Sequence, residues 1–150
     1  RAHFYLPYDG IREMLLDPPG HPATEFYFTE GSWSTLRQLA IERRLHLIDG
    51  PVEIVPGVHI ETTGGHHPGS AALKIRTSAG LTGLLETAFL QTNLEREQPI
   101  GIAEDIATCR AVIRRYRREC DEVVAIHEPT NASRFPLAGF RAVSADRMDA

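Results

Sequence analysis

The sequence lacks the features that mark secreted, membrane-spanning and nucleic-acid-binding proteins. It has two cysteines in 150 residues, Cys109 and Cys120. Both fall in one predicted helix with about 16 Å of helical rise between them, too far apart to pair, and isolated thiols are typical of a reducing compartment. No apolar run approaches the roughly 20 residues that span a bilayer, and the net charge of −4 offers no basic excess. We therefore predict a cytoplasmic protein with no membrane or nucleic-acid partner.

Several active-site motifs are missing as well. The chain has no G-x-S-x-G elbow, P-loop or dinucleotide fingerprint, so serine-hydrolase and nucleotide-binding functions have no support. Arginines fill one side of a predicted helix over residues 103–120. With an overall negative charge, we interpret that side as a solvated helix surface.

The opening residues suit a buried strand better than a natural terminus. The chain starts at Arg1 and passes almost at once into the apolar stretch Phe4-Tyr5-Leu6. Removal of an initiator residue or a tag is one explanation. We favour the other, in which the natural polypeptide begins well upstream.

Hydrophobic periodicity predicts one α/β domain over residues 1–150, with a mixed sheet and helices against it. Helices are expected at 9–16, at 32–44 with Ser32 as N-cap, and at 103–120, where one apolar stripe recurs every three or four residues. In the strands, Lys74 and Arg76 are expected to face outward. Short runs between Gly and Pro turns predict strands at 3–8, 45–48, 52–55, 58–61, 73–75, 81–85 and 123–126.

Three of the predicted strands end in side chains that bind metals. His66 lies in the glycine-rich loop TTGGHHPGS (62–70), Glu86 ends an apolar strand, and His127 ends another. Neutral imidazole is the commonest metal ligand, and a carboxylate at a buried strand end is costly unless it meets a cation or a donor. Each residue alone has a structural explanation: a histidine can be a hydrogen-bonded structural residue, and a glutamate can cap the next helix. Their order along the chain, always at carboxyl ends of strands, favours one metal site.

These motifs resemble the C-terminal part of the metallo-β-lactamase fold, and within it the branch of N-acyl-homoserine-lactonase-like hydrolases. That branch carries a T-P-G-H-T-P-G-S-like loop, a strand ending in Asp, and a late strand ending in G-H-D-P. The corresponding segments here are residues 63–70, Leu84-Leu85-Glu86 and Ile126-His127-Glu128-Pro129. The resemblance covers about residues 1–136. It implies part of an αββα sandwich, in which this chain is the C-terminal portion of a longer domain.

The resemblance also implies a hydrolase of lactone or ester bonds that uses hydroxide activated by two metal ions, usually zinc, although other divalent metals remain open. His66 would ligate one metal, His127 the other, and Glu86 would be the catalytic carboxylate that bridges them. The family's H-x-H-x-D-H motif is absent from this chain. We expect the remaining ligands from an upstream segment or a partner chain, and uncovered sheet surface to favour a homodimer.

Two departures from the family support an alternative function. Glu86 stands where relatives have Asp, and Phe89 stands where lactonases have a tyrosine. A catalytically inactive, metal-free relative that serves as a binding or interaction module would explain both. His67 stands where relatives have a threonine, and we expect it to be an exposed loop histidine. The alternative is that it contacts and supports a metal ligand. The remaining histidines show no ligand spacing and are interpreted as ordinary: His3, His21, His46 and His59.

Overall fold

A computed structural model of the protein describes residues 2–16 and 31–136. The helices within these ranges are α1 (Tyr8–Leu16), α2 (Ser32–Ile41), α3 (Gln91–Glu95), α4 (Ile106–Glu119) and α5 (Asn131–Arg134). The strands are β1 (Phe4–Pro7), β2 (Leu45–Ile48), β3 (Val52–Val55), β4 (Val58–Thr62), β5 (Ala71–Thr77), β6 (Gly80–Leu85) and β7 (Glu122–Ala125). No helix in the described ranges is long and apolar enough to cross a membrane.

The strands form two sheets, and their directions place three strand ends together. β1 and β2 form a parallel pair, while the larger sheet has the order β3-β4-β5-β6-β7. Its neighbours are antiparallel from β3 to β6, and β6 and β7 are parallel. Strands β4, β6 and β7 therefore run in one direction. Their carboxyl ends lie on the same edge of the sheet, where sites of α/β proteins gather.

Helix α4 supplies the main cover of this sheet. Its residues Cys109, Ile113 and Tyr116 are fully buried, and Ile113 and Tyr116 pack with Leu85 and Ala125 of the sheet. The ring of Tyr116 comes so close to Gly83 that a Cβ atom there would lie 2.5 Å from it. This close packing requires glycine in the strand. The predicted fold class, a mixed sheet flanked by helices, is confirmed.

Some helices and strands begin or end at other residues than predicted. Helix α4 begins later than predicted because the Asp105 side chain caps it, accepting a hydrogen bond from the Thr108 amide. Helix α2 begins after Gly31, which has a φ of 89°, so Ser32 is the first helical residue and the predicted N-cap is wrong. Strand β7 ends at Ala125, which leaves His127 in the following turn.

One prediction about a charged side chain also changes. Lys74 was expected to face outward, but it is half-buried beneath α4, with its Nζ atom 2.6 Å from Glu119 and 3.3 Å from Glu61. Most arginines of α4 are exposed, as predicted, whereas Arg115 is partly buried and pairs with Glu61. Glu97 binds Arg114 and Arg117 through its carboxylate.

His21 and the residues after 136 lie outside the described ranges, so predictions that concern them stay predictions.

Candidate functional site

The loop between β4 and β5 carries His66 and is fixed at its base by backbone hydrogen bonds. The Thr63 amide donates to the Ser70 carbonyl at 2.9 Å, and the Ser70 amide donates to the His67 carbonyl at the same distance. On the other side, the Asp105 amide donates to the Gly65 carbonyl at 2.8 Å. The loop thus rests against the start of α4, and the His66 side chain is buried.

Gly65 makes this contact with α4 possible. It has a φ of +84°, and a Cβ atom there would lie 2.7 Å from the sulfur of Cys109 and 2.9 Å from its backbone nitrogen. Both the backbone conformation and the contact exclude a side chain. The glycine directly before His66 is therefore required by the packing of the loop on the helix.

Cys109 lies beneath this loop and is fully buried, with its sulfur packed against Gly65. Burial, together with the nearby carboxylate of Asp105, raises the pKa of the Cys109 thiol to about 11. The thiol therefore stays protonated near neutral pH as part of the packing beneath the loop.

His67 is not the exposed loop histidine that we expected. It is buried, its Nδ1 atom accepts a hydrogen bond from the Gly69 amide at 2.9 Å, and its Nε2 atom lies 3.3 Å from the Glu13 carboxylate of α1. The expectation of exposure was wrong because the loop sequence does not reveal its partner Glu13, which lies 54 residues earlier in the chain. With both ring nitrogens engaged, His67 has no lone pair directed at a metal.

Glu86 and His66 share a cavity of about 190 Å³. The apolar part of its lining comes from β1 and α1 through Leu6, Pro7 and Ile11. Glu86 follows the last residue of β6, so its carboxylate stands at the sheet edge defined above. The cavity therefore offers an imidazole and a carboxylate against an apolar surface.

Phe89 connects the two predicted histidine ligands. Its ring lies edge-on to the ring of His66, with centroids 6.1 Å apart, and to the ring of His127, with centroids 4.5 Å apart. His66 is buried and His127 is exposed. His66 and Glu86 thus line one cavity, while His127 does not line it and is linked to His66 only through the ring of Phe89.

The donor types suit zinc, although the set is partial. Imidazole nitrogen and carboxylate oxygen are both ordinary zinc ligands. In residues 2–16 and 31–136, no three histidine, cysteine, aspartate or glutamate side chains form a group that could hold a metal ion. His66, Glu86 and His127 therefore do not form such a group by themselves, and a site built on them would need additional ligands.

Sequence reasoning missed the contribution of α1 to the cavity. Gly10 and Gly69 approach so closely that a Cβ atom on Gly10 would lie 2.4 Å from the Cα atom of Gly69. A glycine inside a helix destabilises it by about 1 kcal/mol relative to alanine. Gly10 in the pattern of α1 was therefore the available signal that another backbone lies against this helix.

Comparison with known proteins identifies the fold. No family model and no curated protein matches the chain. An N-acyl homoserine lactone hydrolase, solved with the product N-hexanoyl-L-homoserine at its catalytic metal centre, matches at 19% identity and a TM-score of 0.60 over 87% of this chain and 48% of its own. A probable metal-dependent hydrolase from Staphylococcus aureus matches at 15% identity and a TM-score of 0.57 over 74% and 38%.

A hydrolase of the beta-lactamase superfamily also matches, at 14% identity and a TM-score of 0.51 over 78% of this chain and 43% of its own. The chain therefore spans half or less of the length of each of these structures. At these identities the likeness concerns the fold. The protein has the fold of the metallo-β-lactamase-type hydrolases, over about half of their length.

Proposed function

We propose that the protein is part of a metal-dependent hydrolase that cleaves lactone or ester bonds. His66 would bind one zinc ion and His127 another, and Glu86 would bridge the two. The observations that support this proposal are that His66 and His127 both contact the ring of Phe89 and that His66 and Glu86 line one cavity, at the edge where β4, β6 and β7 end. Ligands outside this chain, from an upstream segment or a second chain, would complete the site.

The residues present have distinct tasks in such a site. When bound, zinc lowers the pKa of a water molecule to near neutrality and polarises a carbonyl group. His66 is held by its loop in a buried position, and Glu86 presents its carboxylate into the same cavity. Leu6, Pro7 and Ile11 give the same cavity an apolar lining.

The substrate class follows from the walls of the cavity and from the matched structures. A small molecule with an apolar part beside its carbonyl suits a cavity lined by both polar and apolar side chains. One matched structure holds N-hexanoyl-L-homoserine, the product of a lactone hydrolase. We therefore propose a lactone or ester substrate for the present protein. We also propose a cytoplasmic location, because isolated thiols are typical of a reducing compartment.

Zinc titration calorimetry tests this assignment directly. We expect weak zinc binding by the chain alone, and a loss of affinity of at least tenfold in His66→Ala and His127→Ala. His59→Ala is the matched control, because His59 is an exposed histidine on β4 whose removal leaves the site intact. Equal zinc affinity in all three variants and in the unmodified protein would count decisively against the metal site.

A longer gene product would test the reaction itself. Finding H-x-H-x-D-H about ten to twenty residues before Arg1 in the reading frame would supply the expected ligands. That longer protein should carry more than about one zinc per chain and hydrolyse lactones. Less than one zinc per chain at neutral pH, with zinc supplied, would contradict the proposal.

Phe89 favours one second candidate, a metal-free relative that binds a partner without hydrolysis. Its ring presents an apolar surface to both histidine rings and brings no hydroxyl. This candidate predicts no hydrolysis by the longer protein with added zinc. Hydrolysis of a lactone by that unmodified longer protein in the presence of zinc would eliminate it.

A further inference from the structure

We infer that His67 and Glu13 form an anchor that positions the His66 loop, which makes His67 a positioning residue for the proposed metal site. The inference rests on the proposed role of His66 as a ligand. It adds a task for α1, which the ligand residues alone do not reveal. Two separate observations support it.

The first observation is the engagement of both nitrogens of the His67 ring. A nitrogen that accepts a hydrogen bond carries no proton, so the Gly69 amide fixes Nδ1 as the unprotonated atom. The proton of the neutral ring is then on Nε2, which faces the Glu13 carboxylate at 3.3 Å. The ring orientation is therefore set from one side by its own loop and from the other by α1.

The second observation is the close approach of the two backbones at the same place. A Cβ atom on Gly10 would lie 2.4 Å from the Cα atom of Gly69, and one on Gly69 would lie 3.1 Å from the Cα atom of Gly10. The loop and α1 are thus in direct backbone contact, one helical turn from Glu13. The His67–Glu13 contact fixes the rotation of the helix against the loop.

Together with α4, this anchor holds the loop from two sides. On one side the Glu104 and Asp105 amides donate to the carbonyls of His66 and Gly65. On the other side the His67 ring meets Glu13. His66 lies between the two attachments, so its ring keeps one position in the cavity that α1 also lines. Residues that orient a metal ligand typically change metal affinity 10- to 100-fold when they are removed.

Nuclear magnetic resonance of the histidine rings gives the first test. Long-range ¹H–¹⁵N spectra of the metal-free protein should show His67 with its proton on Nε2. The Glu13→Ala variant should change the His67 ring signals and leave those of His59 unchanged. A His67 ring with its proton on Nδ1 would overturn the inference.

Hydrogen exchange and zinc titration on the same variants give the second test. His67→Ala and Glu13→Ala should each speed exchange of the loop amides 63–70 at least tenfold, with smaller changes in α4, and weaken zinc binding about tenfold. The double variant should show loop exchange no faster, and zinc affinity no lower, than the more strongly affected single variant, since the two residues act as one contact. His59→Ala is the control. Loop exchange and zinc affinity equal to those of the unmodified protein would overturn the anchor.

These measurements separate the two proposals. If the unmodified protein binds no zinc, the proposed function fails, and the ring signals and the loop exchange still decide on the anchor. If zinc binds through His66 and His67→Ala changes neither affinity nor exchange, the anchor fails and the proposed function stands.

Discussion

The ring of Phe89 meets the ring of His127 edge to face, with 4.5 Å between the centroids and 65° between the planes. The same ring also lies edge-on to His66, at 6.1 Å and 89°. An aromatic ring between two imidazoles restricts how each of them can turn. His127 is exposed and lies in a turn beyond β7, so this contact is an important restraint on its position.

Removal of the Phe89 ring should therefore weaken zinc binding. Aromatic pairs of this geometry contribute about 0.5–1.5 kcal/mol beyond the area they bury, which corresponds to a loss of roughly two- to tenfold in affinity for Phe89→Ala. Phe89→Tyr keeps the ring and is the matched control, with affinity expected near that of the unmodified protein. Calorimetric titration with zinc measures both. A weaker affinity in Phe89→Tyr than in Phe89→Ala would exclude the ring as the restraint.

Substitution of Gly65 should damage both stability and the site. In Gly65→Ala the new Cβ atom meets Cys109 at 2.7 Å, and the residue keeps a φ of +84°. Gly64→Ala is a close control, because Gly64 has a φ of +62° with nothing within 4 Å of its Cβ position. The backbone strain of a left-handed residue costs about 1–2 kcal/mol, which both variants share.

The contact with Cys109 should thus make Gly65→Ala less stable than Gly64→Ala, by about 1–3 kcal/mol as for other overpacked sites. Urea unfolding followed by circular dichroism gives both free energies of unfolding. Zinc affinity should fall more in Gly65→Ala as well, since His66 follows directly. Equal stability of the two variants would show that the loop does not rest on α4 as described.

The sequence predicted local elements well and long-range contacts poorly. Strands β2 and β3 match their predicted bounds because alternating residues and Gly-Pro turns are local signals. Lys74 was misjudged because its partner Glu119 is 45 residues away, and His67 for the same reason. The order of His66, Glu86 and His127 along three strands indicated one edge of the sheet. The position of Phe89 between the histidines depends on tertiary packing, which no periodicity reveals.

Cys109 should be unreactive in the folded protein. Burial and Asp105 raise its pKa to about 11, so at pH 8 only about one thiol in a thousand would be ionised, and the thiolate is the reactive form. In a Cys120→Ala variant, a disulfide reagent at pH 8 should label Cys109 only after denaturant is added. Labelling within minutes under native conditions would mean that the loop does not cover this thiol.

A buried network around Glu61 links β4 to α4 and predicts a dependence of stability on pH. The Glu61 carboxylate accepts hydrogen bonds from the Tyr116 hydroxyl at 2.6 Å and from Arg115 at 2.9 Å, with Lys74 at 3.3 Å. Burial alone would raise the pKa of Glu61. The hydrogen bonds from Tyr116 and Arg115 and the two positive charges outweigh it, so its pKa lies below the ordinary 4.5.

A carboxyl group with a lowered pKa in the folded state stabilises the protein above its unfolded pKa, and this contribution is lost as pH falls through the folded pKa. At pH 7, Glu61→Gln should lower the free energy of unfolding by about 1.5–3 kcal/mol, the range for hydrogen bonds to a charged group. The difference from the unmodified protein should shrink as pH falls below 4.5. Glu95→Gln, at an exposed glutamate of α3, should show neither effect. Urea unfolding from pH 7 to pH 3 measures all three proteins, and a constant difference across that range would show that the Glu61 charge does not stabilise this fold.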